Sequence, residues 1–130
     1  MKELHVSHHL LLCAAPTKSK GTCIGSGKGL ASWEKLKQLI KEFCLDSPAR
    51  VQGIVLRTKA DCLRVCERGP ILLVWPDGIW YEGVSAERIE RIIQEHVIEG
   101  RPCREWVIRH TTMNNIQASP DQPIGLDCRK

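Results

Sequence analysis

Four cysteines are the residues of this chain whose type and spacing could do chemistry. They fall into two pairs, Cys13 with Cys23 and Cys62 with Cys66, and cationic residues flank both pairs. Each pair lies in a stretch with the composition of a loop. Thiolates are ligands for both zinc and iron–sulfur clusters, and four of them complete either kind of site. The pattern therefore predicts a thiolate site assembled from two separate segments of the chain.

The spacing within the two pairs favours one kind of thiolate site. Cys62 and Cys66 lie four positions apart, so one helical turn or a wide loop can bring both sulfurs to the same side. Cys13 and Cys23 lie ten apart, which is unlike a zinc ribbon, but glycines between them permit the loop to fold back. Backbone N–H groups of such a loop can donate hydrogen bonds to cluster sulfurs. These features favour a 2Fe–2S cluster and leave a structural zinc site open.

The other cysteines carry no comparable pattern. The chain has 130 residues and seven cysteines, an odd number that argues against a complete disulfide framework. The apolar run near the N-terminus lacks the length and the cleavage site of a signal peptide, so we expect the cytoplasm as the location. Cys44, Cys103 and Cys128 stand alone in the sequence, and we expect them to be small buried hydrophobes or tail thiols. A thioredoxin-type dithiol would need a Cys-x2-Cys motif, which the chain lacks.

Charge is distributed unevenly along the chain. Residues 1–70 contain 12 Lys/Arg against 6 Asp/Glu, a balance of +6, whereas residues 71–103 contain 3 against 6, a balance of −3. The basic half holds all four paired cysteines, and it predicts a redox partner with an acidic docking face. It has no interleaved aromatics or nucleic-acid motif, so we expect no nucleic acid as partner. No stretch approaches the ~20 apolar residues of a membrane span.

Hydrophobic periodicity predicts the elements that must position the cysteines. We expect strands at 4–12, 51–57, 71–75 and 79–82, the last two forming a hairpin across Pro76-Asp77-Gly78 in which Trp75 and Trp80 pair. The two predicted helices begin at caps Ser32 and Ser85. Their apolar stripes contain Trp33, Leu36, Leu39, Ile40 and Phe43 in the first, and Ile89, Ile92, Ile93, His96 and Val97 in the second, with His96 at the edge of the core.

The order of these elements predicts the fold and its limits. A β-α-β unit followed by β-β-α is typical of a thioredoxin-like α/β fold, here a small mixed four-stranded sheet with helices packed against it. We expect this domain to span residues 1–103. Residues 104–130 are rich in polar residues and contain Pro120 and Pro123, so they are expected to form a poorly ordered C-terminal tail.

Two stretches resemble a known family. The segment 61–81, DCLRVCERGPILLVWPDGIWY, closely resembles the signature of the bacterial thioredoxin-like 2Fe–2S ferredoxins. The segment 89–96, IERIIQEH, with Gly100 looks like that family's closing helix. The same fold and cluster occur in the small subunit of respiratory NADH dehydrogenase. The resemblance covers roughly residues 5–103.

The resemblance implies both the ligands and the function. The four ligands of a 2Fe–2S cluster would be Cys13, Cys23, Cys62 and Cys66, and the protein would be an electron carrier, not an enzyme, that serves redox partner proteins and can form a homodimer. The interval from Cys13 to Cys23 is longer than in the NADH dehydrogenase subunit, and flavin-linked domains are absent, which favours a stand-alone carrier. His8 and His9 precede Cys13, but the histidine spacing of a Rieske centre is absent.

Other functions stay open at this point. One alternative is a zinc-stabilised or metal-free thioredoxin-like interaction module. Another is an accessory subunit of a larger oxidoreductase, in which residues 104–130 would dock onto a neighbouring subunit.

Overall fold

The fold is a mixed sheet with two helices on one face. The computed structural model describes residues 3–13, 28–60 and 69–113. The sheet contains β1 (Val6–Cys13), β2 (Ile54–Ala60), β3 (Leu72–Trp75), β4 (Ile79–Tyr81) and β5 (Val107–His110), in the spatial order β2-β1-β3-β4-β5. Strand β1 runs parallel to β2 and antiparallel to β3, and the remaining pairs are antiparallel. None of the described helices is long and apolar enough to cross a membrane.

The core lies between the sheet and the helices. Leu10 and Leu12 of β1 point to the same side because side chains alternate along a strand, and both are fully buried. They pack with Leu72 and Val74 of β3, so the two central strands share one apolar face. Strand β3 is central, as its uninterrupted apolar sequence predicts.

Helix α1 (Lys28–Glu42) follows the predicted periodicity but not the predicted start. Its stripe is confirmed: Trp33, Leu36, Leu39 and Ile40 are buried, and Phe43 just beyond its end packs against them. The prediction of Ser32 as N-cap is wrong. Ser32 lies inside the helix, fully buried, and its Oγ donates a hydrogen bond of 2.5 Å to the carbonyl oxygen of Val84.

Helix α2 (Ala86–Ile92) continues into a wider π-helical segment, Ile93–Ile98. Ser85 caps it as predicted, because its side chain accepts a hydrogen bond from the backbone N–H of Arg88. Gly100 follows the helix with a φ of +80°, a conformation that favours glycine and ends the helix there.

The sheet has five strands, not the four predicted. The fifth, β5, lies beyond the predicted boundary at residue 103, so the expectation of a poorly ordered tail is wrong for residues 107–110. Its apolar residues Val107 and Ile108 lie half-buried on opposite sides of the sheet and pack against two separate apolar clusters. Residues 114–130 lie outside the described residues.

The hairpin register also differs from the prediction. Trp80 lies opposite Leu73, and Trp75 lies opposite His9 of β1, so the two tryptophans do not pair across the hairpin. Strand β2 begins three residues later than predicted, at Ile54, because residues 51–53 form a turn.

The hairpin turn at Gly78 provides a test of how contact with this turn positions the end of β5. Gly78 has a φ of +70°, and a Cβ placed on it would lie 1.8 Å from the backbone oxygen of Thr111. Gly100 has a similar φ of +80° but open space around it. We therefore expect Gly100→Ala to cost about 1 kcal/mol of stability through backbone strain alone. Gly78→Ala should cost about 2–4 kcal/mol, because a backbone clash adds to the strain.

Denaturant unfolding followed by far-UV circular dichroism measures both variants. Equal losses for Gly78→Ala and Gly100→Ala would show that the close approach of Thr111 to the turn contributes nothing.

Candidate metal centre

Cys13 is the predicted ligand that the structure describes. It is the last residue of β1 and is buried, 1% exposed. Its backbone N–H donates a hydrogen bond of 2.9 Å to the carbonyl oxygen of Ile71, the residue before β3. Its side chain belongs to a small apolar cluster with Ile71, against which Trp80 and Ile108 pack. Cys13 is therefore held at a fixed place near one end of the sheet.

Two neighbouring strands meet Cys13 at this end of the sheet. Cys13 pairs with Ala60, the last residue of β2, and bonds to Ile71. Ala60 is the last described residue before the segment 61–68, and Ile71 lies two residues after the description resumes at Gly69. That segment contains the predicted ligands Cys62 and Cys66, which lie outside the described residues, as does Cys23.

The two other described cysteines lie elsewhere in the fold. Cys103 is buried, as predicted, and its Sγ lies 3.8 Å from Oε1 of Glu95. Burial, together with the nearby Glu95 carboxylate, raises the pKa of the Cys103 thiol to about 11, so it stays protonated at neutral pH. Cys44 was expected to be buried or in a tail; it is exposed, just after α1, with a φ of 54°. Cys128 lies outside the described residues.

His8 and His9 have partners within the strand layer. His9 Nε2 lies 2.7 Å from Oγ1 of Thr58 on β2, and His8 Nδ1 lies 3.1 Å from the Ser7 hydroxyl. Burial lowers the pKa of His8, and the Asp77 carboxylate opposes that shift in part. Within residues 3–13, 28–60 and 69–113, no group of three His, Cys, Asp or Glu side chains converges on one point.

A buried hydrogen-bond chain is the feature that the sequence did not reveal. His96 is fully buried, not at the core edge as predicted. Its Nδ1 lies 2.7 Å from the Tyr81 hydroxyl, and its Nε2 lies 2.5 Å from Oδ2 of Asp77. The Tyr81 oxygen also accepts a hydrogen bond of 3.0 Å from the Cys103 backbone N–H. This Asp77–His96–Tyr81–Cys103 chain joins the hairpin turn, β4, the last helix and the segment that leads to β5.

The donors and acceptors of this chain match in the His96 tautomer that carries its proton on Nε2. The Cys103 N–H donates to the Tyr81 oxygen, the Tyr81 hydroxyl donates to Nδ1, and Nε2–H donates to Asp77. A buried imidazole needs such partners, since burying an unpaired polar group costs free energy. The position of His96 within the apolar stripe of a helix could have indicated a buried, hydrogen-bonded imidazole. The sequence does not identify the hydrogen-bond partners of that imidazole.

Comparisons with known proteins identify curated relatives that match about three quarters of this chain. A comparison with protein-family models finds no match. The chain is 26% identical over 102 residues to a 2Fe–2S ferredoxin of Clostridium pasteurianum, covering 78% of this chain and 95% of the relative. It is 27% identical over 103 residues to a 2Fe–2S ferredoxin of Aquifex aeolicus (strain VF5), covering 77% of this chain and 87% of the relative.

The solved structures define the class of fold. A thioredoxin-like 2Fe–2S ferredoxin from Aquifex aeolicus superposes with a TM-score of 0.65 at 21% identity, covering 85% of this chain and 97% of that structure. The chain thus has the thioredoxin-like α/β fold that its sequence predicted. The curated relatives and this solved structure show that the chain is similar to thioredoxin-like 2Fe–2S ferredoxins.

Removing the Tyr81 hydroxyl tests the buried hydrogen-bond chain. We expect Tyr81→Phe to destabilise the protein by about 1–3 kcal/mol, because it deprives the Cys103 N–H and His96 Nδ1 of the bonds they make with this hydroxyl. Ser47→Ala is the control: it removes a surface hydroxyl that accepts from the Ala49 N–H, and should change stability by no more than about 0.5 kcal/mol. Denaturant unfolding measures both, and similar losses would show that the buried chain adds nothing.

Proposed function

We propose that this protein is a one-electron carrier that holds one 2Fe–2S cluster on Cys13, Cys23, Cys62 and Cys66. The observation that carries the proposal is the register of β1 and β2, which places Cys13 opposite Ala60. A bound 2Fe–2S cluster would supply the redox chemistry by accepting and releasing an electron. The chain's own residues would ligate it, limit its contact with water and present it to partner proteins.

Chain connectivity supports a shared site for Cys13 and the second cysteine pair. Paired residues of neighbouring strands lie about 5 Å apart, and two residues extend at most about 7 Å. Cys62 follows Ala60, the residue that pairs with Cys13, by only two positions in the sequence. We therefore propose that both members of the second pair bind at the same end of the sheet as Cys13.

The surroundings of Cys13 fit a thiolate-ligated cluster. The side chain is buried among apolar residues, which limit water at a site whose cofactor depends on restricted solvent access. It lies at the end of a strand fixed on both sides by neighbouring strands, so the ligand is positioned by rigid elements. Cys103 lies in the other apolar cluster, apart from Cys13, and burial raises the pKa of its thiol, which favours the protonated form.

The relatives support a stand-alone carrier over an accessory subunit. Two curated relatives are named as 2Fe–2S ferredoxins, and the alignments span 95% and 87% of their lengths. We propose redox proteins as partners, with an acidic docking face that complements the basic half of the sequence. A homodimer and a cytoplasmic location belong to the same proposal.

Single substitutions of the cysteines test the ligand set. We expect Cys13→Ser, Cys23→Ser, Cys62→Ser and Cys66→Ser each to abolish or shift the visible absorption and the electron paramagnetic resonance signal of the reduced protein, because each removes a thiolate from the cluster. Cys44→Ser and Cys103→Ser serve as matched controls and should leave both spectra unchanged. Far-UV circular dichroism checks that each variant keeps its fold.

The pattern of the variants distinguishes two kinds of failure. If Cys23→Ser alone leaves both spectra intact, the function stands and another residue provides the fourth ligand. If Cys13→Ser and Cys62→Ser both leave them intact, the proposed ligand set is wrong.

A further inference from the structure

One edge of the described sheet is exposed and carries positive charge. Strand β2 is the outermost strand on its side, with β1 as its neighbour. Its first two residues are buried, but Leu56, Arg57, Thr58 and Lys59 are all exposed. We call Leu56–Lys59 the β2 edge. An exposed strand edge offers backbone N–H and C=O groups as well as side chains to another molecule.

The two cations of the β2 edge lie on the same side of the strand. Arg57 pairs with Leu10 and Lys59 with Leu12, so alternation places both side chains on the face that also bears α1, about 7 Å apart along the strand. The Arg57 guanidinium lies over the Trp33 ring, 5.3 Å from its centroid, and this contact positions it. Strand β2 contains no acidic residue.

These two cations differ from the lysines of the neighbouring helix. On α1, Lys35 lies 3.6 Å from a Glu90 oxygen and Lys37 lies 3.1 Å from a Glu34 oxygen. In the part of the chain that the structure describes, Arg57 and Lys59 form no ion pair. Both side chains are exposed to solvent.

The β2 edge lies beside the candidate metal centre. Lys59 pairs with Leu12, the residue before Cys13, and Ala60 pairs with Cys13 itself. A partner bound at this edge would therefore approach the end of the sheet where the cluster is proposed. Electron transfer requires such an approach, because its rate falls steeply with distance.

We propose that the β2 edge is the docking surface for a redox partner protein that presents carboxylates. This inference rests on the proposed function, and it names the β2 edge as the surface at which the redox partner binds. Arg57 and Lys59 pair with carboxylates of the partner and steer its approach, and Leu56, 37% exposed, provides an apolar contact. A second copy of the chain fits less well, because antiparallel pairing of two β2 edges would bring like charges together.

The test uses a double variant and a control of equal charge. Arg57→Gln/Lys59→Gln neutralises the β2 edge. Lys41→Gln/Arg104→Gln removes the same charge from two exposed residues, one at the end of α1 and one before β5. The probe is reduced flavodoxin, an acidic one-electron donor. Stopped-flow spectroscopy measures the rate of electron transfer from flavodoxin to the oxidised protein. Reduction by dithionite, which needs no docking, shows whether the cluster itself still accepts an electron. Calorimetry measures the affinity for flavodoxin.

We expect the β2-edge variant to react with flavodoxin about ten-fold more slowly at low ionic strength, and the control variant to change less than about two-fold. The difference should shrink at about 0.5 M salt, where charges are screened. Dithionite should reduce both variants and the parent protein at similar rates.

Three results would overturn the docking surface. Equal slowing of both variants would mean that overall charge, not the β2 edge, governs association. Unchanged flavodoxin binding in the β2-edge variant would exclude the surface directly. Self-association of that variant with unchanged binding would show that the cations only protect the strand edge from pairing. If dithionite reduces none of the proteins, the electron-carrier proposal fails, and calorimetry alone still decides whether the edge binds an acidic protein.

Discussion

The parallel pairing of β1 with β2 is the constraint on which the rest of the structure depends. It ends at Cys13 opposite Ala60, and the antiparallel partner β3 begins beside the same cysteine. A cluster that takes ligands from distant parts of a sequence needs an element that brings those parts to one place. Here the hydrogen bonds of β1 with β2 and β3 fix the position of Cys13, the described member of the proposed ligand set. The same pairing leaves the outer side of β2 exposed next to the site.

Much of this frame could be predicted because it depends on local periodicity. The apolar stripes of both helices and the central position of β3 follow from patterns that each segment carries by itself. The prediction of Ser32 as N-cap was wrong because a serine can also lie inside a helix when its hydroxyl reaches a carbonyl oxygen. Here the hydroxyl of Ser32 donates to the carbonyl oxygen of Val84. Strand β5 was missed because an edge strand needs few apolar residues, and Val107 and Ile108 suffice.

The buried hydrogen-bond chain and the exposed charge of β2 were less predictable, because both depend on contacts between segments that are distant in the sequence. His96 finds its partners 15 and 19 positions away in the sequence, at Tyr81 and Asp77, and only the folded sheet brings them together. That buried chain ties the hairpin turn to the last helix. The exposed charge of Arg57 and Lys59 likewise depends on β2 being an edge strand, which periodicity does not indicate. Cysteine spacing and the family resemblance together predicted the ligand set, and three of its four members lie outside the described residues.

The most direct test of the central claim is the iron, sulfide and zinc content of the protein purified without oxygen, with its visible spectrum. A 2Fe–2S carrier should contain about two iron and two sulfide per chain, with visible absorption that bleaches on reduction. A colourless protein that contains about one zinc per chain and no sulfide would contradict the account, and would favour the zinc-stabilised interaction module.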